Sequence, residues 1–403
     1  MSAPRSRYIA DLLQVHAEDL AFLWGQRRDA LASQRYTLRE FNELGERIEA
    51  HVQGLLVAPP EALAGLLRPG LSSNDRDDAF AAACGLLRLE QTDTTQAVVV
   101  EFSRAAGPTL AGLRDALSFV RPALFAAEMQ SAFVQAKPIT AASAAVVLAN
   151  HRLLDATALR LAQFLQGDDA VVCELAWRAA LVADAVSSNA AAPRPYRQGL
   201  AHAAPGVRQA AWAALAWSGD PQTLPLLRQA AAGGDAVAVH WLAVLGTQDD
   251  APWLKQAVLA SENPQQRCAL LARFGHPMAL NALVRWMKGE DVAQAAAAGE
   301  AFTRITGIDI RGERRTLPVP DGADEFEREM APDVWMPNAE KARDLVERRG
   351  SEWASGQRWC NGIRLDGELS REMLVQLDLE ARWDAAARAA LAGRPISPPA
   401  PIH

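Results

Sequence analysis

The stretch VRQAAWAALAWSG, residues 207–219, decides the fold class, because it is an apolar helical run that ends at a glycine and recurs twice. The later copies are VAVHWLAVLG at 237–246 and QRCALLARFG at 266–275. The three copies end 27 and 29 residues apart, at Gly219, Gly246 and Gly275. A second apolar run follows each glycine, so the pattern predicts helix–turn–helix units at a short period. Such units are typical of α-solenoids.

The residues after each glycine predict how the second helix of each unit begins. Asp220-Pro221 is expected to supply an N-cap and a first-turn proline in the first unit. The segments 249–252 and 275–277 are expected to do the same in the next two. A unit this short cannot close a core of its own, so neighbouring units must bury one another's apolar faces.

The segments on either side of the repeats predict helical caps. Thr37-Leu38-Arg39-Glu40 has the pattern of a capping box that opens a helix. Ser187 to Pro195 is expected to be a loop. From Asp309 the pattern changes, with a basic run at 311–315, an extended run at 317–320 and an acidic run at 321–329. Further helices are expected after Asn338, and we interpret this region as a cap over the last repeat.

Together these patterns predict an all-α protein, a right-handed α-solenoid of HEAT-like helical hairpins with helical caps at both ends. The predicted segments are an N-terminal helical cap at 1–68, the solenoid at 75–308, a C-terminal helical cap at 309–394 and a mobile proline-rich tail at 395–403.

Charge and cysteine content narrow the function classes. The formal net charge is -7, whereas a solenoid that binds nucleic acid normally carries a basic stripe. The four cysteines are widely separated, so we expect buried free thiols rather than a metal knuckle or a redox pair. The first residues lead into an amphipathic helix, and no long apolar run occurs, so we expect neither a signal peptide nor membrane insertion. Cytoplasm is the predicted location.

No motif predicts a chemical activity. The sequence lacks a glycine-rich phosphate loop, a nucleophile elbow, an HExxH and a CxxC pattern. His16-Ala17-Glu18-Asp19 is the densest histidine–carboxylate cluster, but adjacent helical residues do not share a face. We therefore predict no catalytic residue, no cofactor and no metal. A carboxylate pair that meets only in space would leave no mark in the spacing.

The tryptophans of the repeat block are the candidate partner-binding residues. Each of them either fills the space between units or stands on the inner curve as an anchor, since tryptophan is enriched in interface hot spots. His276, in a helix–helix turn beside a proline, either bonds to backbone or joins the anchors. The candidate set is Trp212, Trp217, Trp241, Trp253, Trp286 and His276.

Two flanking blocks resemble an uncharacterised proteobacterial family of HEAT-repeat proteins of about 400 residues. The N-terminal block contains the runs HAEDLAFLWGQR (16–27), YTL (36–38) and ERIEAHVQGL (46–55), and the C-terminal block contains PNAEK (337–341) and GQRWCNG (356–362). Gly45 stands where the family tends to have aspartate, and Asp344-Leu345 stands where it has a tryptophan pair. The resemblance implies a HEAT-repeat protein encoded near type VI secretion components, and it supplies no catalytic residues.

The function expected from these observations is non-enzymatic protein–protein binding. The concrete version is an adaptor, chaperone, cargo-adaptor or immunity role beside a type VI secretion apparatus, with a secretion-system component or effector as partner. One alternative is a HEAT-type nucleic-acid-binding or DNA-repair protein, which needs a basic concave stripe and exposed aromatic residues. Another is a lyase-like HEAT enzyme, which needs a pocket with a perturbed carboxylate or histidine. The sequence leaves the oligomeric state open.

Overall fold

The computed structural model of the protein describes residues 10–186, 194–259, 261, 263–319, 322–353, 357–365 and 369–394. These residues form 22 α-helices and four short β-strands, so the prediction of a mostly helical fold is confirmed. Most of the loop predicted at 187–195, and all of the tail predicted at 395–403, lie outside the described residues. Contacts divide the described chain into two compact units, which we call unit 1 and unit 2.

Unit 1 contains the described residues up to Asp220 and those from Asp378 onward. Its helices are α1 (Ala10–Ala30), α2 (Leu38–Leu55), α3 (Pro60–Leu67), α4 (Arg76–Leu87), α5 (Thr92–Arg104), α6 (Gly107–Phe119), α7 (Ala126–Gln135), α8 (Pro138–Asn150), α9 (Leu159–Leu165), α10 (Ala170–Val186), α11 (Tyr196–Leu200), α12 (Pro205–Trp217) and, after unit 2 in the chain, α22 (Leu379–Leu391).

Alternate helices of unit 1 pack against one another in a row. Helix α4 packs on α6, α6 on α8, α8 on α10, and α10 on α12. Small residues let these helices approach closely, and α8 buries five alanines along its length. At the N-terminal end, Trp24 stacks on Phe80 with ring centroids 3.9 Å apart, and both rings are fully buried. Such a pair contributes about 0.5–1.5 kcal/mol beyond the burial of its area.

The capping box predicted at the start of α2 is present. Thr37 accepts a hydrogen bond from the backbone of Glu40, and the Glu40 carboxylate accepts one from the backbone N–H of Thr37 at 2.8 Å. The same turn contacts the start of α22, because Asp378 forms a β-bridge with Thr37 and the N–H of Leu379 donates to the carbonyl of Tyr36. Helix α22 lies in the segment predicted as a C-terminal cap, at 309–394, but it belongs to unit 1 and packs on α12.

Unit 2 runs from Pro221 to Leu377. Its elements are α13 (Thr223–Ala232), α14 (Ala236–Leu245), α15 (Ala251–Leu259), α16 (Pro264–Phe274), α17 (Leu280–Met287), α18 (Val292–Thr306), β1 (Arg311–Thr316), α19 (Glu325–Glu329), β2 (Asp333–Pro337), α20 (Ala339–Arg349), β3 (Trp359–Cys360), β4 (Ile363–Arg364) and α21 (Arg371–Gln376). Helix α14 packs on α16, and α16 packs on α18.

The predicted turns of the repeat block are partly wrong. Asp220 is not the N-cap of the following helix, because α13 begins at Thr223 and the N-cap position, Gln222, makes no side-chain capping bond. Gly275 has the left-handed φ of +72° that favours glycine at a helix C-terminus, whereas Gly246 has an ordinary φ of -57°. The similar sequence runs therefore end in different turns.

A short hairpin, β3–β4, lies in unit 2 between helices α20 and α21, in a region where the sequence analysis predicted helices and no strands. Its two-residue turn is Asn361-Gly362, and both residues have positive φ, at 50° and 75°. This dipeptide is the preferred sequence for a two-residue hairpin turn, because both central residues must adopt the left-handed region. The signal was present in the sequence, but strands of two residues are too short to show alternation.

The residue before the hairpin, Arg358, caps the C-terminal ends of helices α14 and α16 in unit 2. The buried guanidinium of Arg358, just before β3, donates hydrogen bonds to carbonyls at the end of α14, at 2.5 Å to Ala243, 3.0 Å to Val244 and 2.8 Å to Gly246. It also donates to Phe274 at the end of α16, at 2.6 Å. These carbonyls lack intrahelical partners, so one side chain satisfies acceptors of both helices. Arg358, in the GQRWCNG block, thus joins the ends of α14 and α16 through hydrogen bonds.

Candidate functional site

The candidate site is the antiparallel ribbon that β1 and β2 form in unit 2. All six residues of β1 are exposed. The base of the ribbon is fixed, because the N–H of Asn338 donates to the carbonyl of Ile310 at 2.7 Å and the ammonium of Lys341 donates to the carbonyl of Asp309 at 2.9 Å. Strand β2 also packs on α18. The ribbon is therefore held against the rest of unit 2 through β2 and its base, while β1 is exposed to solvent.

Two arginines flank a tryptophan on this ribbon, and we call Arg311, Arg314 and Trp335 the Arg–Trp cluster. Arg314 lies directly opposite Trp335 in the strand register, so both side chains stand on the same face. The guanidinium carbon of Arg314 lies 5.0 Å from the ring centroid, and that of Arg311 lies 5.9 Å from it. The Trp335 residue remains 43% exposed. Each cation–π contact contributes about 0.5–1 kcal/mol at such a site and restricts the ring.

The arginines of the ribbon differ in how their charge is balanced. Arg311 pairs with Asp309 at 3.1 Å, and Arg315 pairs with Glu313 at 2.7 Å. Hydrogen bonds from the backbone and side chain of Arg311 hold the pKa of Asp309 below its ordinary value. Arg314 forms no ion pair with a described carboxylate. Arg314 is thus an exposed positive charge beside the indole that has no ion-pair partner in the part of the chain that the structure describes.

The outer edge of β1 is open among the described strands, since β1 pairs only with β2. The N–H of Leu317 donates to the carbonyl of Pro332 at 3.0 Å, so residue 317 faces the partner strand. Backbone groups alternate in direction along an antiparallel strand. Residue 315 therefore also faces β2, while Arg314 and Thr316 direct their N–H and carbonyl groups away from it. No other described strand pairs with these outward groups, so an added strand can pair with them.

Helix α19 and the residue that follows it, Met330, add two exposed apolar side chains just before β2. Phe326 is 68% exposed and Met330 is 64% exposed, and their spacing of four residues places them on one face of the chain. Asp324 opens this helix through a capping box with Glu327. Trp, Arg, Met and Phe are the residue types enriched at the centre of protein interfaces. The region around β2 therefore presents an interface-like composition.

Three of the six residues predicted to bind a partner are buried. Trp212 is 1% exposed in unit 1, and Trp241 and His276 are buried in unit 2. The Nδ1 atom of His276 accepts a hydrogen bond from the backbone N–H of Met278 at 3.2 Å, which is the backbone role considered for it. Side chains with so little accessible surface cannot anchor a partner while their unit keeps this conformation.

The other three predicted residues are half-buried and differ in setting. Trp217 is the last residue of α12 in unit 1, and its indole N–H is buried without a hydrogen-bond partner among the described groups. Trp253 lies on α15 and Trp286 on α17, both in unit 2. The guanidinium of Arg267 lies 5.4 Å from the Trp286 ring. Their roles as anchors stay predictions.

A histidine pair in unit 1 was not predicted. The ring of His51, on α2, approaches His16, on α1, with 3.2 Å between their Nδ1 atoms. The Oδ2 atom of Asp19 lies 3.6 Å from the same nitrogen of His51. His16 and Asp19 lie close together in the sequence, but their contact with His51 depends on how α1 and α2 pack, so residue spacing alone does not reveal it.

Across the described ranges, no group of three or more His, Cys, Asp and Glu residues could hold a metal ion. Within the same ranges, no helix has a stretch long and apolar enough to cross a membrane. The four cysteines are buried and free, and burial raises the pKa of Cys84 to about 12.

Comparisons with known proteins identify no relative. No protein-family model matches the chain, no curated protein matches its sequence, and no solved structure matches its fold.

Proposed function

We propose that the protein is a non-enzymatic scaffold that binds an extended, acidic segment of another protein along strand β1. The observation that carries the proposal is a fully exposed strand with an open edge beside the Arg–Trp cluster. An extended peptide that adds to such an edge gains main-chain hydrogen bonds, while its alternate side chains supply specificity.

The open edge favours an extended partner over a helical one. Arg314 and Thr316 each present one outward N–H and one outward carbonyl, the groups that an added strand requires. A helix has no free backbone donors or acceptors along its middle and cannot use them. The partner strand would lie beside β1, within reach of the long arginine side chains.

The charge of β1 favours an acidic partner. Asp309 and Glu313 balance Arg311 and Arg315, but Arg314 has no described counter-charge. A carboxylate on the added strand would pair with it, in an exposed setting where added salt weakens the attraction. Trp335, already flanked by guanidiniums, would be a restricted apolar anchor, since tryptophan and arginine dominate interface hot spots.

We also propose that the protein is an α-solenoid of HEAT-like helical hairpins. The row formed by α4, α6, α8, α10 and α12 in unit 1 is the packing expected of one layer in a right-handed, HEAT-like α-solenoid. With the family resemblance, it supports an adaptor, chaperone, cargo-adaptor or immunity role in the cytoplasm beside a type VI secretion apparatus. The partner would then be a secretion-system component or effector.

The binding test uses a short fluorescein-labelled peptide of alternating glutamate and valine, followed by fluorescence anisotropy. We expect the peptide to bind the full chain, and to bind more weakly as salt is raised. The double variant Arg314→Ser, Trp335→Ser should lose about tenfold or more in affinity, because each position has hot-spot character.

The matched control is Arg39→Ser, which removes an exposed arginine of unit 1. It should bind the peptide like the wild type. Binding that the double variant retains, or equal binding of a lysine–valine peptide, would refute the proposal.

A second candidate function is binding of single-stranded nucleic acid, which also uses arginine and stacked aromatic side chains. The Arg–Trp cluster favours it, whereas the net charge of -7 opposes it. A labelled oligothymidine in the same assay separates the two. Tighter binding of the oligonucleotide than of the acidic peptide would replace the first proposal with the second.

A further inference from the structure

Helix α1, in unit 1, has apolar side chains on two opposite faces. Leu20 and Trp24 are fully buried on the face that packs against α2 and α4. On the other face, Leu12, Val15 and Phe22 are 52%, 47% and 61% exposed. A helix at the surface of a globular protein normally has one apolar face and one polar face, so a second apolar face indicates a second contact.

The exposed apolar side chains of α1 have the spacing of a surface that pairs with another helix. Val15 follows Leu12 by three residues and Phe22 follows Val15 by seven, so the three form one row along the helix. These are a and d positions of a heptad, the positions that meet the partner in a coiled coil. Asp19 occupies the a position between Val15 and Phe22, and its side chain is 48% exposed. We call Leu12, Val15, Asp19 and Phe22 the α1 seam.

A row of acidic side chains runs beside the α1 seam. Asp11, Glu18 and Asp29 are all exposed. Glu18 follows Asp11 by seven residues and Asp29 follows Glu18 by eleven, so whole turns of the helix separate them. Glu18 accepts a hydrogen bond at 2.8 Å from the uncharged amide of Gln14. In the part of the chain that the structure describes, neither Asp11 nor Glu18 forms an ion pair.

The basic residues of α1 do not offset this acidic row. Arg27 is buried, and its guanidinium donates a hydrogen bond to the carbonyl of Phe41 at 2.5 Å. Arg28 lies between two carboxylates, with its Nε atom 3.5 Å from Asp29 and its Nη1 atom bonded to Asp77. The exposed face of α1 is therefore apolar and acidic. A second copy of this face, or a membrane with anionic headgroups, would meet it with like charge.

We propose that the α1 seam binds a basic amphipathic helix of another protein. The middle of α1 offers only side chains, because its backbone groups are bonded within the helix, so a partner strand would gain no main-chain bonds. A partner helix can instead pack its own apolar row against the seam. Basic residues beside that row would face Asp11 and Glu18, and one basic residue within it would face Asp19 and fix the register.

The binding test uses a fluorescein-labelled peptide of about three heptads, followed by fluorescence anisotropy. The peptide has leucine at the a and d positions, lysine at e and g and alanine elsewhere, with one central a position changed to lysine. We expect it to bind the full chain, and to bind more weakly as salt is raised. The double variant Val15→Ser, Phe22→Ser should lose about tenfold or more in affinity, because both apolar contacts are removed. Glu18→Gln should lose about twofold to fivefold at low salt.

Two matched variants serve as controls. Leu159→Ser, which removes an exposed apolar side chain of α9 in unit 1, should bind the peptide like the wild type. So should Arg314→Ser, Trp335→Ser, because the ribbon of unit 2 is basic and lies outside this surface. The double variant of α1 should unfold at nearly the same Tm as the wild type, since both of its positions are exposed. A large fall in its Tm would show that these side chains belong to the core, and would overturn the proposal.

Three further results would also overturn it. The first is peptide binding that the α1 double variant retains. The second is equal binding of a peptide that has glutamate in place of lysine, or of one with the same composition whose leucines share no face. The third comes from sedimentation of the chain alone, where a dimer that the α1 double variant dissociates would assign the seam to a second copy.

Discussion

Replacing Arg358 with methionine should strongly destabilise unit 2. Four hydrogen bonds from its guanidinium reach carbonyls at the ends of α14 and α16, and a fifth, at 3.4 Å, reaches Arg273. At about 1 kcal/mol net for each bond, the loss is about 4–5 kcal/mol. The guanidinium carbon also lies 4.5 Å from the Phe274 ring, a contact that methionine replaces only in part.

The assay is calorimetric unfolding of the full chain, with chemical denaturation monitored by circular dichroism. For a unit of this size, the expected loss lowers Tm by about 10–20 °C. Arg358→Lys should fall between methionine and wild type, because an ammonium has three donors and no fork. The control Arg348→Met, an exposed position on α20, should stay within about 0.5 kcal/mol. If Arg358→Met lowers the free energy of unfolding by less than about 1 kcal/mol, Arg358 does not hold the two helix ends together as described.

The remaining predictions concern local chemistry. The four cysteines are buried, so none should react with Ellman's reagent at pH 8 until the chain is unfolded, and rapid labelling of the native protein would contradict the fold. Glu40→Ala should lose part of the α2 cap. Hydrogen bonds from Thr37 hold the pKa of Glu40 below its ordinary 4.5, so the stability difference should be full above that pH and shrink as pH falls below it. A difference that stays constant in acid would exclude this role. Gly275→Ala should cost about 2 kcal/mol or more, because φ is +72° and the added Cβ would lie 2.2 Å from the carbonyl oxygen of Trp359. The control Gly65→Ala, inside α3 with open space around it, should instead gain about 0.5–1 kcal/mol in urea denaturation.

Features that depend on a few neighbouring residues could be predicted from the sequence. The capping box of Thr37 and Glu40 involves only four consecutive residues. A helix was also expected after Asn338, and Asn338 is the N-cap of α20. The helical character of the repeat runs was also predictable from their apolar spacing. Such local signals fix where helices begin and end, because their partners lie within one turn.

Features that depend on packing were missed. Strand β1 has no apolar face, so it lacks the alternation of apolar and polar residues that marks a half-buried strand. For this reason the strand was not predicted, and its neighbour Trp335 was not among the candidate binding residues. The bonds of Arg358 join residues far apart in sequence. Apolar spacing placed Trp212 and Trp241 on helices, but could not say that their faces meet a neighbour. The spacing of apolar residues shows which face of a helix is apolar, but it does not show which neighbouring element covers that face.

Hydrogen–deuterium exchange on the full chain, with and without the glutamate–valine peptide, tests the central claim most directly. If the peptide adds to β1, the amides of Arg314 and Thr316 should exchange more slowly in the complex, because they gain partners. The amides of α20, which the peptide does not touch, should be unchanged. Protection confined to the tryptophan-bearing helices of the repeat block, with β1 unaffected, would place binding elsewhere and contradict the account.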